Sequence, residues 1–466
     1  MRVTRACASL LRLAQSLRAS DFAYELPEAR IAQRPLSKRA ESKLLVWKKP
    51  SAHIQHERFD AITRLAPERC VLVLNETKVV RARLQLRKYP YGGKAEVMLL
   101  RPHEPQCTIA EALDATRRAQ WTCLINGHNI GKGARLLGEI LNWGLPPRPL
   151  RLWASVVEKG YPSVVQFHWE PNKLRFQEFV EFFGAMPLPM YMKRDADPSD
   201  TSAYQTVYGN TPGSVAAPTA GLHFDKSLLE RIEKERGASI VRVCLHVGAG
   251  TFLPVKADTL GGHRMHEEEL HVTRGAIDTF LDAKVNKRPV LAVGTTAVRT
   301  LESLYWFGVR LLCEPDLVFL KDQMLVSQWD PYRLVDQDFD SDQSKVPKAE
   351  EALRAVASYM DKMNLSALSG ETQLLIAPPY AFQMVDCMIT NFHEPKSTLL
   401  LLVAAFTESP ENWLPSKVLA DGHGSELTGA AGLTQNLRGI YDAALNNGYR
   451  FLSYGDTSFL TQDAFP

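Results

Sequence analysis

The chain has 466 residues, of which 45% are hydrophobic and 23% charged, with a formal net charge of +3. This composition excludes a disordered or fibrous chain, and the length allows a sizeable core in more than one domain. The near-balanced charge permits a nucleic-acid partner without requiring one, and the seven scattered cysteines form no CxxC pair, which argues against a disulfide framework or a thiolate metal site and favours a reducing compartment.

The N-terminal segment 1–20 carries four arginines and no acidic residue. That pattern fits an organellar transit peptide, but it also fits a short helix or an extended start on a cytosolic protein. We therefore treat residues 1–20 as an N-terminal extension. We expect a cytoplasmic protein, with an organellar location as the alternative if this segment is a transit peptide.

Short apolar runs predict buried strands at KLLVW (43–47) and VLVLN (71–75). Between 76 and 185 the runs become partly alternating and are separated by Gly, Pro and Asn, which predicts antiparallel strands that can close into a small barrel. The segments near 103–120, 138–150 and 325–350 add length of unknown role. Within the last of these, DQDFDSDQSK (336–345) is acidic and predicts a solvated loop.

The stretch YQTVYGNTPGSVAAPTAGLHF (204–224) combines three glycines, two prolines and a histidine. Glycine permits close backbone approach to a ligand and proline fixes φ, so the stretch predicts a ligand-holding loop. LHVGAGTFLPV (245–255) is a second such segment. It has no GxGxxG or GK[ST] pattern, so it does not support a Rossmann or P-loop assignment.

The run VLAVGTTAVRTLES (290–303) predicts a strand, a Gly-Thr-Thr turn and a helix from Val298. Free backbone N–H groups at such a helix start can bind an anion, although the string also fits a simple tight turn. His263 and His266 lie in an expected loop without an HExxH pattern, so we predict no metal site.

The segment ITNFHEPKSTLLLLVAAF (389–406) predicts a strand ending at Asn391, a polar turn, and a helix capped by Ser397 or Thr398. Asn391, His393 and Lys396 would then be presented where strand gives way to helix, a position suited to ligands. The alternative is that they only satisfy hydrogen bonds of the turn. The apolar run that follows is far shorter than the roughly 18 residues a spanning helix needs, so we expect no membrane segment.

These segments, together with DFAYELPEARIAQRPLSKRAESKLLV from Asp21, VLNETKVVRARL (73–84), GGKAEVMLL (92–100) and YRFLSYGD (449–456), resemble the S-adenosylmethionine:tRNA ribosyltransferase-isomerase family of queuosine biosynthesis. The strings occur in the family's order over most of the chain. The resemblance implies an α/β fold: a layered catalytic domain formed by 21–75 and 186–466, with a small antiparallel β-barrel domain inserted at 76–185.

The resemblance also implies an activity. The enzyme transfers and isomerises the ribosyl unit of S-adenosylmethionine to 7-aminomethyl-7-deazaguanine at the wobble position of tRNA, giving epoxyqueuosine with release of adenine and methionine. S-adenosylmethionine is then a co-substrate and no further cofactor is implied. The expected partner is tRNA carrying the modified base, and we expect a monomer.

That chemistry needs proton transfer, and histidine is best suited to it near neutral pH, so the catalytic candidates are His223, His246 and His393. Which of them is the general base stays open. Aromatic, hydroxyl, amide, cationic and motif-glycine positions supply the substrate-binding candidates: Tyr204, Gln205, Thr219, Gly221, Phe224, Gly248, Gly250, Thr251, Thr295, Thr296, Arg299, Asn391 and Lys396. Five cations are candidate tRNA contacts, with solvated surface charge as the alternative for each: Lys78, Arg81, Arg83, Lys193 and Arg194.

Some residues depart from the family's usual pattern. Asn75-Glu76-Thr77-Lys78 replaces Asn-Asn-Thr-Arg, Arg81 replaces a common proline, and Glu394 stands where the family usually has an apolar residue after NFH. These changes bear on tRNA contacts and loop shape. Two competing functions stay open. One is a non-catalytic tRNA-binding relative; the other is a different nucleoside or S-adenosylmethionine enzyme such as a methyltransferase, which the lack of a GxGxG-like loop after an early strand disfavours.

Overall fold

A computed structural model describes residues 9–49, 51–104, 107–144, 148–248, 250, 255–314, 323–338, 346–409 and 434–462. The described strands are β1 (Lys43–Lys48), β2 (His53–Arg58), β3 (Val71–Asn75), β4 (Thr77–Val79), β5 (Arg83–Tyr89), β6 (Lys94–Pro102), β7 (Arg118–Asn126), β8 (Arg135–Trp143), β9 (Arg148–Glu158), β10 (Ser163–Glu170), β11 (Gly184–Ala185), β12 (Thr211–Ser214), β13 (Ser239–Leu245), β14 (Glu268–Thr273), β15 (Val290–Val293), β16 (Met324–Val326), β17 (Ala367–Thr372), β18 (Cys387–Asn391) and β19 (Thr457–Thr461). The described helices are α1 (Leu10–Ser16), α2 (Ile62–Leu65), α3 (Ile109–Asp114), α4 (Phe176–Phe183), α5 (Asp200–Ala203), α6 (Lys226–Arg236), α7 (Arg274–Val285), α8 (Thr295–Cys313), α9 (Asp330–Asp338), α10 (Ala349–Lys362), α11 (Thr398–Thr407) and α12 (Gln435–Asn446).

The main domain is built on a mixed ten-stranded sheet with the order β16-β17-β14-β13-β3-β15-β18-β19-β1-β2. Its four central strands, β13, β3, β15 and β18, run parallel to one another. Antiparallel pairings with β14 on one side and β19 on the other end this parallel block. The carboxyl ends of the four central strands therefore meet at one edge of the sheet.

Alternation along β3 shows that both faces of this sheet are covered. Val71 and Val73 pack into the core that contains α7, α8 and α10, whereas Leu72 and Leu74 pack against α6. All four side chains are fully buried. Because helices cover both sides of the sheet, a central strand such as VLVLN needs apolar side chains on both faces, and its sequence is a continuous apolar run. The predicted layered α/β domain is confirmed.

The second sheet closes into an antiparallel barrel. Its order is β11-β5-β6-β7-β10-β9-β8, and β5 also pairs with β8, which closes six strands around a core. Helix α4 covers this core with Phe176, whose ring lies 5.1 Å from that of Trp169. The predicted barrel is confirmed, and its strands lie within 83–185. Residues 77–79 were expected inside it, but β4 instead pairs in parallel with β12 in a separate two-stranded sheet.

The N-terminal segment is folded onto the main domain from residue 9 onward. Helix α1 begins after Ser9, and its free N–H groups at Leu10 and Leu11 donate to the carboxylate of Asp336 at 2.9 and 3.0 Å. Asp336 lies in α9, so the expected solvated loop is wrong for residues 336–338, because that carboxylate caps a helix 325 or more residues away in the chain. The rest of the loop, 339–345, lies outside the described residues. Within the described part of the chain, no helix combines the length and apolarity needed to cross a bilayer.

Candidate active site

The carboxyl edge of the four central strands collects the segments that the sequence singled out. His246 follows β13, Gly294 and Thr295 follow β15, and His393 lies two residues beyond β18. In open α/β sheets this edge is where ligands bind, because the turns there present side chains and free backbone groups together. Gly294 has φ of 87°, a left-handed conformation that favours glycine, and it turns the chain directly from β15 into α8.

Two adjoining depressions lie at this edge, each of about 670 Å³ including the part open to solvent. We call them the His393 cleft and the Arg299 cleft; Thr295, Thr296 and Leu399 line both, so they form one continuous site. The His393 cleft is otherwise lined by Tyr191, Ala216, Ala217, Pro218, Thr219, Ala220, Val247, Gly294, Thr390, Asn391, His393, Glu394, Ser397, Leu452 and Ser453. The Arg299 cleft is otherwise lined by Gly250, His263, Met265, His266, Glu268, Arg299, Leu374, Leu375, Ile376, Thr398 and Leu402.

His393 is held from two sides. Its Nε2 lies 2.8 Å from Oγ1 of Thr390, and its backbone N–H donates to the hydroxyl of Tyr441 at 3.1 Å. The Tyr24 hydroxyl donates to its backbone carbonyl. Burial lowers the pKa of His393 to about 3, because the charged imidazolium loses its hydration. The ring is therefore neutral at physiological pH and its orientation is fixed.

Asn391 links β18 to the loop of residues 204–224. Its side-chain oxygen accepts a hydrogen bond from the Thr219 hydroxyl at 2.8 Å, and its amide donates to the Asp456 carbonyl at 3.4 Å. The expected cap is also present: Ser397 precedes α11 and its hydroxyl accepts from the Leu400 N–H at 3.2 Å. The polar turn between strand and helix is therefore pinned at both ends.

Arg299 dominates the other cleft. Its guanidinium forms a buried ion pair with Glu268 and donates from Nε to the Leu374 carbonyl at 3.2 Å. The same Glu268 carboxylate accepts from the Gly248 N–H at 3.1 Å, so it joins α8 to the glycine-rich segment. Among the described residues, buried Nη2 of Arg299 and Oγ1 of Thr296 have no hydrogen-bond partner. Two buried polar atoms without partners at a cleft wall are what a polar ligand would satisfy.

The other two candidate histidines do not line the joined clefts. His246 contacts the Thr77 hydroxyl through Nδ1 at 2.8 Å and lies against Gly213 and Cys244. His223 contacts the Ser42 hydroxyl at 2.7 Å and lines a separate small depression with Arg39, Arg450 and Tyr454. Burial lowers the pKa of each to about 4, so both rings are neutral at physiological pH.

Several substrate-binding candidates lie outside the clefts. Tyr204 and Phe224 are fully buried in the core, and Gln205 pairs its side-chain amide with the backbone of Val79 at 2.7 and 3.0 Å. Gly221 packs against Tyr208, and Lys396 is exposed on the turn before α11. These residues shape the loops that carry the cleft residues. Thr251 lies outside the described residues, whereas Gly248 and Gly250 lie beside Glu268 and His266.

The tRNA candidates fall into two groups. Lys78 is exposed, and Lys193 is an exposed partner of Glu28 at 2.7 Å. The three arginines make internal contacts: Arg81 with Glu181 and Thr201, Arg83 with Glu96, and Arg194 with the fully buried Asp200. Arg83, Lys193 and Arg194 nonetheless line one groove of about 1500 Å³ between the barrel and residues 188–195.

Sequence reasoning missed Glu268, Ser453 and Tyr191, and set aside His263 and His266, all of which line the clefts. Glu268 belongs to the acidic string HEEE (266–269), a pattern that is typical of a solvent-exposed segment. No local sequence signal indicates that it pairs with Arg299. The described residues contain no group of three or more His, Cys, Asp or Glu that could hold a metal ion.

Comparison with known proteins defines the family. The family model described as "Queuosine biosynthesis protein" matches residues 19–321 and 346–413. The chain belongs to the queuosine biosynthesis protein family. The segments 204–224, 245–255, 290–303 and 389–406 of this queuosine biosynthesis protein all fall within the matched residues.

Curated members of the queuosine biosynthesis family align along nearly the whole chain. A protein of Halothermothrix orenii named S-adenosylmethionine:tRNA ribosyltransferase-isomerase is 32% identical over 452 residues, 95% of this chain and all of that protein. A protein of the same name from Chlorobaculum parvum is 32% identical over 445 residues, 96% of this chain and all of that protein. A crystal structure of S-adenosylmethionine tRNA ribosyltransferase from Thermotoga maritima aligns with 24% identity and a TM-score of 0.41, over 95% of this chain and all of that one.

Proposed function

We infer that this chain transfers and isomerises the ribosyl unit of S-adenosylmethionine to 7-aminomethyl-7-deazaguanine in tRNA, giving epoxyqueuosine and releasing adenine and methionine. The observation that carries this inference is the joined cleft at the carboxyl edge of the sheet, in a chain of the queuosine biosynthesis family. The names of the two curated relatives support it.

The Arg299 cleft suits S-adenosylmethionine. Leu374, Ile376 and Leu402 offer an apolar wall that a flat purine can cover. In the wall of the Arg299 cleft, Nη2 of Arg299 and Oγ1 of Thr296 are buried polar atoms without partners among the described residues. A carboxylate or ribose hydroxyl of the substrate would satisfy both, and a guanidinium is well shaped for a carboxylate.

The His393 cleft suits proton transfer. In the proposed reaction a base removes a C5′ proton made acidic by the neighbouring sulfonium, adenine leaves with a proton, the aminomethyl nitrogen attacks, and methionine departs as the epoxide closes. His393 lines this cleft in its neutral form, which is the form that can accept a proton, and Thr390 fixes its ring. Burial lowers its pKa to about 3, so it is a weaker base than an exposed imidazole. We propose His393 as the base because, of the three candidate histidines, it is the one that lines the clefts; His223 and His246 are the alternatives.

Recognition of tRNA is proposed at the groove beside the barrel and at Lys78. The groove offers Arg83, Lys193 and Arg194 on its wall, and Lys78 is exposed on β4. We further propose that the protein acts as a cytoplasmic monomer without a cofactor beyond S-adenosylmethionine. The described cysteines, which are all free thiols, support a reducing compartment.

The test is to incubate purified protein with S-adenosylmethionine and tRNA bearing 7-aminomethyl-7-deazaguanine, and to follow adenine and the tRNA nucleosides by mass spectrometry. Equal amounts of adenine and epoxyqueuosine are expected. His393→Ala should abolish both products, while His53→Ala, a matched change of an exposed histidine on edge strand β2, should leave them unchanged.

Two outcomes separate the competing functions. Bound tRNA without adenine release would overturn the enzyme assignment and favour a tRNA-binding relative. Formation of S-adenosylhomocysteine would instead show methyl transfer, because the adenosyl group would then stay intact.

A further inference from the structure

Glu394 places a carboxyl group in the wall of the His393 cleft. It follows His393 directly and lines the cleft together with Tyr191 and Ser453. The residue is partly buried, and burial raises the pKa of its carboxyl group. A carboxyl group in this position costs free energy when charged unless a cation or hydrogen-bond donors compensate it.

Among the residues that the structure describes, no cation compensates Glu394. Across the described ranges, no ion pair or side-chain hydrogen bond involves its carboxylate; the hydrogen bond from the Ser397 hydroxyl goes to its backbone carbonyl. Lys396, two residues further on, forms no ion pair with it among the described contacts. Its described electrostatic neighbours are the hydroxyls of Tyr24 and Tyr191, whose pKa values it helps to raise after the larger effect of burial. Both hydroxyls already donate or share hydrogen bonds elsewhere, with the His393 carbonyl and Ser453.

The substrates of the proposed reaction both carry a positive charge. S-adenosylmethionine has a sulfonium, and the aminomethyl group of the modified base is an ammonium at neutral pH. A partly buried carboxylate in the cleft wall, with no cation from the described residues beside it, matches either group, and an ammonium can also donate hydrogen bonds to it.

We propose that Glu394 is a substrate-binding residue that holds a cationic substrate group in the His393 cleft. This inference rests on the proposed function. It concerns binding and orientation of the charged group, and it assigns Glu394 no bond-making step. The sequence differs here from the family's usual apolar residue, so the contact would be a property of this chain.

The test compares charged and neutral ligands on the full-length protein by titration calorimetry. One arm uses S-adenosylmethionine against S-adenosylhomocysteine, which lacks the charge. The other uses tRNA bearing the aminomethyl base against tRNA bearing the uncharged 7-cyano base. We expect Glu394→Gln to lower the charged-to-neutral preference about tenfold in one arm, which identifies the group held, and to leave the neutral ligand's affinity unchanged.

Two further variants sharpen the result. Glu394→Asp keeps the charge and should retain most of the preference. Asp442→Asn removes an exposed acid on α12, next to the tyrosine that contacts His393, and should change neither ratio. Equal ratios in Glu394→Gln and the wild type, or no preference for the charged ligand in the wild type, would overturn the proposal. Because these ratios need no turnover, failed adenine release would count against the proposed reaction alone.

Discussion

Arg299 and Glu268 form an ion pair inside the site, with both side chains less than a tenth exposed. Removing one member would leave the other charge buried and unpaired, so Arg299→Met should lower the free energy of unfolding by about 3–5 kcal/mol. Replacing both with Met should recover much of that loss but not S-adenosylmethionine binding. Denaturant titration and calorimetry on the two variants separate stability from binding.

A surface pair gives the control for that experiment. Arg231 and Glu235 lie 3.0 Å apart on α6 and are about half exposed. Arg231→Met should therefore cost less than about 1 kcal/mol. If Arg299→Met cost no more than this control, the pair would not be buried as described.

Stability should fall in mild acid because three neutral histidines are buried. Burial lowers the pKa of His393 to about 3 and those of His223 and His246 to about 4, against about 6.5 in an unfolded chain. Above about pH 6.5 each is neutral in both states and contributes no pH dependence. Below that, only the unfolded chain takes up the protons, so the free energy of unfolding drops by up to about 1.4 kcal/mol per pH unit per histidine.

Denaturant titrations between pH 7.5 and 4.5 would measure this slope. His393→Gln should reduce the slope by up to about 1.4 kcal/mol per pH unit, because one of the three groups that take up a proton on unfolding is gone. An unchanged slope in that variant would show that His393 accepts a proton in the folded state over this range.

Gly213 leaves room for the His246 ring. A Cβ at residue 213 would lie 2.7 Å from Cε1 of that ring, so Gly213→Ala should displace it from Thr77. We expect a loss of about 1–3 kcal/mol in stability together with reduced adenine release. Gly275→Ala is the control, because a Cβ there meets nothing within 4 Å near the start of α7. Equal effects of the two variants would contradict this packing.

Lys78 and Arg194 should respond differently to removal, although both are candidate tRNA contacts. Lys78→Ala removes an exposed charge, so tRNA affinity should fall and the slope of log affinity against log salt should shrink by about one, with stability unchanged. Arg194→Ala removes two hydrogen bonds of 2.7 Å to the buried carboxylate of Asp200, so the free energy of unfolding should fall by about 3 kcal/mol. Filter binding over a salt series and thermal melts would test both.

The carboxyl-edge segments could be predicted because glycine, proline and histidine at strand ends leave a local signature, as in the turn at Gly294. The barrel was likewise visible in alternating runs. The role of Asp336 could not be predicted from the sequence, because it caps a helix more than 300 residues away in the chain. The burial of Phe224 could not be predicted either, because its ring suits a ligand site or a core equally well. The pairing of Glu268 with Arg299 depends on the antiparallel pairing of β13 with β14, which no local pattern indicates.

The barrel enters and leaves the main domain at one point, because Leu84 of β5 pairs directly with Gly184 of β11. An insertion whose two ends touch can be added or removed without pulling the host sheet apart. Away from the junction, Arg101 pairs with Glu267 and the Ile109 N–H donates to Glu269, both next to Glu268 on the main domain. The barrel is therefore joined to the main domain at a second place, through the residues on either side of Glu268 in the wall of the Arg299 cleft.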